Sequence, residues 1–252
     1  MSYWILAETK KIVKNRTLTI TLLLSFAFMI YILFDPFPYK DLHISTYISS
    51  VFLLSLTIFG ALPMIVMGAF LSYQEYSWNT FQYLANTYSR TKLYLIKSSF
   101  LFIASFILPA LTVIFAVVIH FFIGVSGNSL SFQVLMQYFT VSLFCFFWGY
   151  SAFILSLLTK SAAFSIVALF LLSFFEPAFY MHMQPDTLSY LILFNQKGLL
   201  ASSFSNLIEG SYLIVPEFDY PSTLWSASYN IGIVLFVSLL GFIYIRRTSI
   251  PS

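Results

Sequence analysis

Residues 98–159, SSFLFIASFILPALTVIFAVVIHFFIGVSGNSLSFQVLMQYFTVSLFCFFWGYSAFILSLLT, contain no Asp, Glu, Lys or Arg. A helix that crosses the hydrocarbon core of a membrane needs about 20 apolar residues, at a rise of about 1.5 Å per residue. The stretch is long enough for two such helices, and the polar turn at Gly124–Ser129 divides it. It lacks the alternation of a barrel strand, so its backbone groups must be satisfied within helices. The stretch therefore predicts two membrane-spanning helices.

The composition extends this prediction to the whole chain. Of 252 residues, 60% are hydrophobic and 8% are charged, whereas charged residues make up about 25% of an ordinary soluble protein. A soluble globule of this size that contained 30 Phe and 17 Tyr would expose large apolar patches. The composition excludes a soluble domain and a disordered chain, and the single cysteine excludes a disulfide scaffold. We therefore expect an all-α integral membrane protein.

The positions of the charged residues predict how many spans there are. Further charge-free windows lie at 17–34, 42–74 and 220–245, and each can hold at least one span. We predict six transmembrane helices in one domain that covers residues 1–252. Their predicted ranges are 18–34, 47–72, 93–123, 131–158, 161–181 and 224–245.

The basic residues predict the orientation of these spans. Of the 12 Lys and Arg residues, the six-span arrangement places Lys40 and Lys197 on one side of the membrane and the other ten on the opposite side. Because cytoplasmic loops carry an excess of Lys and Arg, both termini are expected in the cytoplasm. The net charge of +3 follows from this asymmetry and does not indicate nucleic acid binding.

A segment after the second predicted span is too polar to cross the membrane and too apolar to be a free linker. Residues 73–92 read YQEYSWNTFQYLANTYSRTK, and Trp78, Phe81, Leu84 and Tyr88 recur at helical spacing with polar residues between them. This pattern predicts a short amphipathic helix. Such a helix lies on the membrane face or docks into the groove of a partner protein.

This segment resembles the one after the second span in type-2 ABC exporter permeases. The resemblance rests on Glu75, the run Asn79-Thr80-Phe81 and Arg90, and the six-span layout extends it over the whole chain. In that family the segment is a coupling helix that docks into a separate ATPase subunit, so we refer to residues 74–90 as the coupling segment. The resemblance assigns partner contacts to Glu75, Trp78, Asn79, Thr80, Phe81, Leu84 and Arg90.

The resemblance also implies the other components of the transporter. The chain has no G-x-x-x-x-G-K-[ST] phosphate loop, so it is not expected to be an enzyme or to carry a cofactor, and ATP and Mg would bind to the partner ATPase subunit. A second permease, either a copy or a paralogue, is expected in the membrane. Asn79-Thr80 resembles the bacterial branch that exports lantibiotics and toxin peptides such as phenol-soluble modulins. This branch implies a hydrophobic or amphipathic peptide cargo and a location in the bacterial cell membrane.

Two further features lie towards the outer side. The apolar pieces Leu188–Phe194 and Leu199-Leu200 are too short to cross, and they predict re-entrant or interfacial helices before the last span. The resemblance implies an outer gate there, although a small capping structure fits the same residues. Glu176, followed by Pro177, is an acid within the fifth predicted span. Acids in membrane spans suggest function, so these two residues are either part of the gate or structural.

Two other functions are compatible with a polytopic membrane protein. A secondary transporter or channel without an ATPase is the first, but a proton relay usually needs several acids at mid-depth, and Glu176 is the only acid within a predicted span. An intramembrane serine protease is the second, because Gly124–Gly127 matches the G-x-S-G string of rhomboid proteases. Ser126 lies in a turn without a nearby predicted base, which favours ordinary turn chemistry. The sequence positions of His43, His120, His182 and Cys145 do not match metal-ligand spacing.

Overall fold

A computed structural model describes five stretches of the chain. They are residues 61–77, 90–123, 132–179, 185–203 and 221–247, together with the scattered positions 10, 14–16, 19–20, 23–24, 27 and 48. Within these residues the secondary structure is helical and no strand occurs, which confirms the all-α prediction.

The five stretches contain helices that we number α1 to α7. Their bounds are α1 Ala61–Ser77, α2 Arg90–Ile123, α3 Phe132–Thr159, α4 Ala162–Phe179, α5 Pro185–Leu188, α6 Ile192–Ser203 and α7 Thr223–Arg247. Among the described residues, three segments are long and apolar enough to cross a membrane, namely Thr91–Val118, Val134–Thr159 and Thr223–Arg246. Shorter apolar stretches lie in α1 and α4, at Leu62–Gln74 and Ala162–Leu172.

Four of these helices coincide with predicted spans. The helices α2, α3, α4 and α7 begin and end within about three residues of the last four predicted ranges, which is the usual uncertainty of a helix end. The first predicted span, 18–34, lies mostly outside the described residues, although residues 19, 20, 23, 24 and 27 are helical. Most of the region 28–60, which includes the start of the second predicted span, also lies outside them.

The helix α1 extends further than the sequence predicted. It continues past residue 72 to Ser77, so Gln74 and Glu75 belong to it. The apolar run stops at about residue 72, but Ser72 and Gln74 are buried within the bundle. Protein covers both polar residues, so the surroundings of α1 do not change where its apolar run ends.

The helix α3 lies at the centre of the bundle. It packs against α1, α2, α4, α6 and α7. In an 18-residue apolar window of α3, 72% of the residues are buried, compared with 33% in the corresponding window of α2 and 11% in that of α7. The thiol of Cys145 is buried there, as expected for a cysteine that acts as a small hydrophobic residue.

Two glycines allow α1 and α3 to touch through their backbones. A Cβ atom added to Gly68 would lie 1.9 Å from the carbonyl oxygen of Gly149, and one added to Gly149 would lie 2.9 Å from the side chain of Met64. Small residues permit such close crossings of membrane helices. The hydroxyl of Ser156 also donates to the carbonyl oxygen of Ala69 at 2.9 Å. The helices α1 and α3 therefore form a closely packed pair.

A two-residue turn joins α3 to α4. Lys160 adopts a left-handed backbone conformation, with φ of 54°, which reverses the chain directly after α3. The hydroxyl of Ser161 then accepts a hydrogen bond from the amide of Phe164 at 3.2 Å. Ser161 is thus the N-cap of α4, and the two helices form a tight hairpin.

Candidate functional site

The structure describes the two ends of the coupling segment. Glu75 lies in the last turn of α1, and Arg90 is the first residue of α2. The sequence predicted a separate amphipathic helix that begins near Glu75, whereas Glu75 lies at the carboxyl-terminal end of α1, where the helix dipole is negative. The other predicted contact residues lie outside the described residues; they are Trp78, Asn79, Thr80, Phe81 and Leu84. Their contact with a partner remains a prediction.

A buried lysine links α1 to α2 one to two helical turns away from these two ends. The Nζ atom of Lys97 in α2 donates to the carbonyl oxygen of Leu71 in α1 at 2.6 Å, and Lys97 is only 6% exposed. A hydrogen bond from an ammonium group is stronger than one between neutral groups. The bond fixes α1 against α2 in the helical regions that flank the coupling segment.

Sequence reasoning missed this role of Lys97. Lys97 was included only among the basic residues that predict which side of the membrane is cytoplasmic. Its position within the predicted span 93–123 was the available signal, because a cation inside a span has to find a partner in the protein or reach the interface.

The helix α6 is built into the opposite end of the bundle. It packs against α3, α4 and α7, and Phe194, Asn195 and Gln196 are buried. The Nδ2 atom of Asn195 donates to the carbonyl oxygens of Ser189 at 2.6 Å and Leu191 at 2.9 Å. These contacts explain why a helix runs through the polar residues between the two apolar pieces that the sequence indicated.

A glycine brings α6 close to the start of α7. A Cβ atom added to Gly198 would lie 2.7 Å from the hydroxyl oxygen of Ser226. That hydroxyl lies 3.5 Å from Oδ1 of Asn195. On the other side of the contact, the indole N–H of Trp225 donates to the carbonyl oxygen of Ser189 at 3.3 Å. Polar contacts thus hold α6 and the turn before it to the first turn of α7.

The amide of Gln196 is held in one orientation by α3. The indole Nε1 of Trp148, which is fully buried, donates to Oε1 of Gln196 at 3.0 Å. Because an indole N–H can only donate, the amide oxygen must face Trp148 and the NH₂ group must point away from it. Gln196 is only 3% exposed, and Nε2 has no hydrogen-bond partner within the described part of the chain.

A cavity of about 260 Å³ lies beside this amide, between α2, α3, α6 and α7. Its lining is mostly apolar and includes Phe102, Leu143, Phe147, Gln196, Ile231 and Leu235. Two other polar residues, Thr140 and Asn230, also line it, but each donates to a carbonyl of its own helix, at 3.0 Å and 2.7 Å. The NH₂ group of Gln196 is buried in the wall of this cavity and is not exposed to its interior.

The sequence did not single out this cavity. It treated Gln196 as part of a polar run between two short apolar pieces. The presence of two adjacent amide side chains in a segment predicted to enter the membrane was the only signal, because buried polar groups in an apolar environment are normally hydrogen-bonded.

The remaining predicted residues are described only in part. Glu176 and Pro177 lie in the last turn of α4, and their side chains fall outside the described residues, so the gate remains a prediction. Ser126 and His182 also fall outside. Within the described stretches, no cluster of His, Cys, Asp and Glu could hold a metal ion.

The helices define a multi-pass all-α membrane protein, and comparison with known families gives its class. Residues 4–176 match the family described as ABC-2 family transporter protein. The chain therefore belongs to the ABC-2 transporter family, which consists of membrane permease subunits of ABC transporters that normally work with an ABC ATPase subunit. No curated protein and no solved structure matches the chain.

Proposed function

We propose that the chain is the membrane-spanning subunit of an ATP-driven exporter that moves a hydrophobic or amphipathic peptide out of the membrane or cytoplasm. Membership of the ABC-2 family supports the permease role. The cargo and the direction follow from the resemblance of Asn79-Thr80 to the bacterial branch that exports lantibiotics and toxin peptides. The protein would lie in the bacterial cell membrane with both termini in the cytoplasm, where its ATPase partner binds ATP and Mg.

The match of residues 4–176 to the ABC-2 family is the observation that carries this proposal. The bond between Lys97 and Leu71 supports the mechanical coupling that this role requires. It ties α1 to α2 close to both ends of the coupling segment, so a force on that segment acts on both helices. The close contact between Gly68 and Gly149 then links α1 to α3. Closure of the ATPase subunits would push on the coupling segment and rock the bundle as a body.

The complete transporter would contain two permeases, copies or paralogues, and two ATPase subunits. Rocking of the permeases would separate the ends of the helices on the outer side. Glu176 and Pro177 in the last turn of α4 would then lie at the gate, together with α6, which is held to α7 at that end.

The decisive experiment is co-purification of the chain with a candidate ABC ATPase subunit that is expressed in the same cells. Replacement of both Trp78 and Phe81 by Ala should reduce recovery of the ATPase by about tenfold or more, because buried aromatic residues dominate the energetics of interfaces. The matched control is Phe236→Ala, which removes an aromatic ring of α7 that is 61% exposed and lies far along the chain from the coupling segment, and it should leave recovery unchanged.

The same complex tests the cargo and the energy source. Addition of an amphipathic helical peptide should stimulate ATP hydrolysis, and a hydrolysis-dead ATPase should abolish peptide export. Export that continues with the dead ATPase would instead favour a secondary transporter.

A further inference from the structure

A buried tyrosine near the coupling segment contacts α7 as well as α3. Tyr94 lies four residues after Arg90, the first residue of α2, which is about 6 Å along the helix axis. Its hydroxyl donates to the carbonyl oxygen of Ser238 in α7 at 3.0 Å and is hydrogen-bonded to the hydroxyl of Tyr150 in α3. The point at which the coupling segment joins α2 is therefore close to a polar contact with α7.

A glycine of α7 makes room for this hydroxyl. A Cβ atom added to Gly241 would lie 3.0 Å from the hydroxyl oxygen of Tyr94 and 2.4 Å from Cδ1 of Ile154 in α3. The ring of Phe242 also lies beside that of Tyr94, with the ring centroids 6.5 Å apart. The backbone of α7 thus comes directly against the hydroxyl, in a contact that is closely packed on both sides.

The hydrogen bond restricts movement of α7 along its own axis. Apolar contacts are not directional, so helices that meet through apolar side chains alone can slide past each other. A slide of about 2 Å at right angles to the bond between Tyr94 and Ser238 would lengthen it from 3.0 Å to about 3.6 Å, at which no hydrogen bond remains. A displacement of the start of α2 therefore either moves α7 with it or breaks this bond.

The other end of α7 is attached to α6 and to the turn before it. Ser226 lies 12 residues before Ser238, about 18 Å along the axis. A Cβ atom added to Gly198 in α6 would lie 2.7 Å from the hydroxyl oxygen of Ser226, and the hydroxyl of Tyr229 donates to the carbonyl oxygen of Tyr190. The helix α7 thus connects a contact beside the coupling segment with a contact at the opposite end of the bundle.

We propose that Tyr94 is a positioning residue through which movement of the coupling segment reaches α7 and, by way of α7, also α6. This inference rests on the proposed function, because it requires an ATPase that moves the coupling segment. The hydroxyl is the group that acts, since Tyr94→Phe keeps the ring and loses its hydrogen bonds to α3 and α7. Without these bonds α7 can slide past α2, and α6 no longer follows the coupling segment.

The test measures movement near α6 in a complex of the full-length chain with its ABC ATPase subunit in nanodiscs. Thr187 is exposed, and its neighbour Leu188 packs against Phe194 of α6. An environment-sensitive fluorophore on Thr187→Cys therefore reports on this region, while the natural Cys145 is buried. Addition of ATP, Mg and vanadate should change the emission of the complex that carries no other substitution.

The variant Tyr94→Phe should decrease this emission change by about threefold, as expected for the loss of one average hydrogen bond between membrane helices. Recovery of the ATPase subunit and its rate of ATP hydrolysis should remain at the wild-type level, because Tyr94 lies within the bundle and not in the ATPase. A loss of packing alone would not produce this separation between hydrolysis and movement.

Two further Tyr→Phe variants are matched controls. Tyr138→Phe removes a hydrogen bond of 2.9 Å from α3 to the carbonyl oxygen of Phe106 in α2. Tyr150→Phe removes the bond between the two hydroxyls and keeps the bond from Tyr94 to α7. Both variants should retain the full emission change.

Three results would overturn the inference. A full emission change in Tyr94→Phe would show that α6 follows the coupling segment through α3 instead of α7. Equal decreases in Tyr94→Phe and in either control would show a general effect of helix packing. If the complex without these substitutions gives no emission change with ATP, the proposed function itself is contradicted, and the inference fails with it.

Discussion

The hydroxyl of Tyr94 joins three helices within the apolar part of the bundle. It donates to the carbonyl oxygen of Ser238 in α7 at 3.0 Å and is hydrogen-bonded to the hydroxyl of Tyr150 in α3. Because Tyr94 has one proton to donate, Tyr150 must be the donor to it. Each hydrogen bond of this kind contributes about 0.6 kcal/mol on average between membrane helices. Single polar atoms at defined positions thus determine which helix faces pack together.

Lys97 provides a direct test at this scale. Lys97→Met keeps the apolar part of the side chain and removes the bond to the carbonyl oxygen of Leu71, so it should destabilise the packing of α1 on α2 by about 1 kcal/mol. The expected decrease in the midpoint of thermal unfolding in detergent is about 2–4 °C.

A second lysine of the same helix is the control for this prediction. Lys92 lies in the first turn of α2 and is exposed, so Lys92→Met should leave the midpoint within about 1 °C of the wild-type value. Equal midpoints for wild type and Lys97→Met would show that the bond contributes nothing to stability.

At the scale of the helices, the contact between α1 and α3 leaves no room for a residue larger than glycine at position 68. A methyl group at Gly68 cannot fit without moving α1 away from α3, because its Cβ would lie 1.9 Å from a backbone oxygen. We expect Gly68→Ala to cost several kcal/mol, as in other cases of severe overpacking. The readout is the yield of monodisperse protein in gel filtration together with its unfolding temperature.

Gly232 is the matched control, since it lies in the middle of α7 and a Cβ there would have no atom within 4 Å. Gly232→Ala should retain the wild-type yield and either keep or raise the unfolding temperature, because Ala favours a helix over Gly. Similar losses in both variants would contradict the backbone contact between α1 and α3.

The sequence predicted the helices better than their contacts. The long apolar runs of α2, α3 and α7 can be recognised in a single sequence, because lipid favours apolar residues such as Phe and excludes charged residues such as Lys. The end of α1 was placed too early, because the burial of Gln74 depends on the other helices that pack against it. For the same reason the roles of Gly68, Lys97 and Gln196 were not predicted, since each depends on a residue far away in the chain.

For the whole molecule, the untested prediction is its orientation in the membrane. The tight turn at Lys160 and the short helix that contains Thr187 lie on either side of α4, whose 18 residues span about 27 Å. The excess of basic residues places Lys160 in the cytoplasm and Thr187 outside. Both side chains are exposed, so each site suits a reactive probe.

Cysteine labelling of intact cells measures this orientation. A membrane-impermeant maleimide should label Thr187→Cys in intact cells and Lys160→Cys only after the cells are permeabilised. The wild-type protein is the control, because its single cysteine is buried and should remain unlabelled in both cases. The opposite pattern would reverse the orientation and place the coupling segment outside, away from ATP.

The hairpin of α3 and α4 limits how these two helices can separate. Only Lys160 and Ser161 connect them, so their neighbouring ends cannot slide apart. Any relative motion of α3 and α4 must therefore be a hinge rotation about this turn. The widest displacement then occurs at the far tip of α4, where Glu176 lies, so even a few degrees of rotation would move that carboxylate furthest.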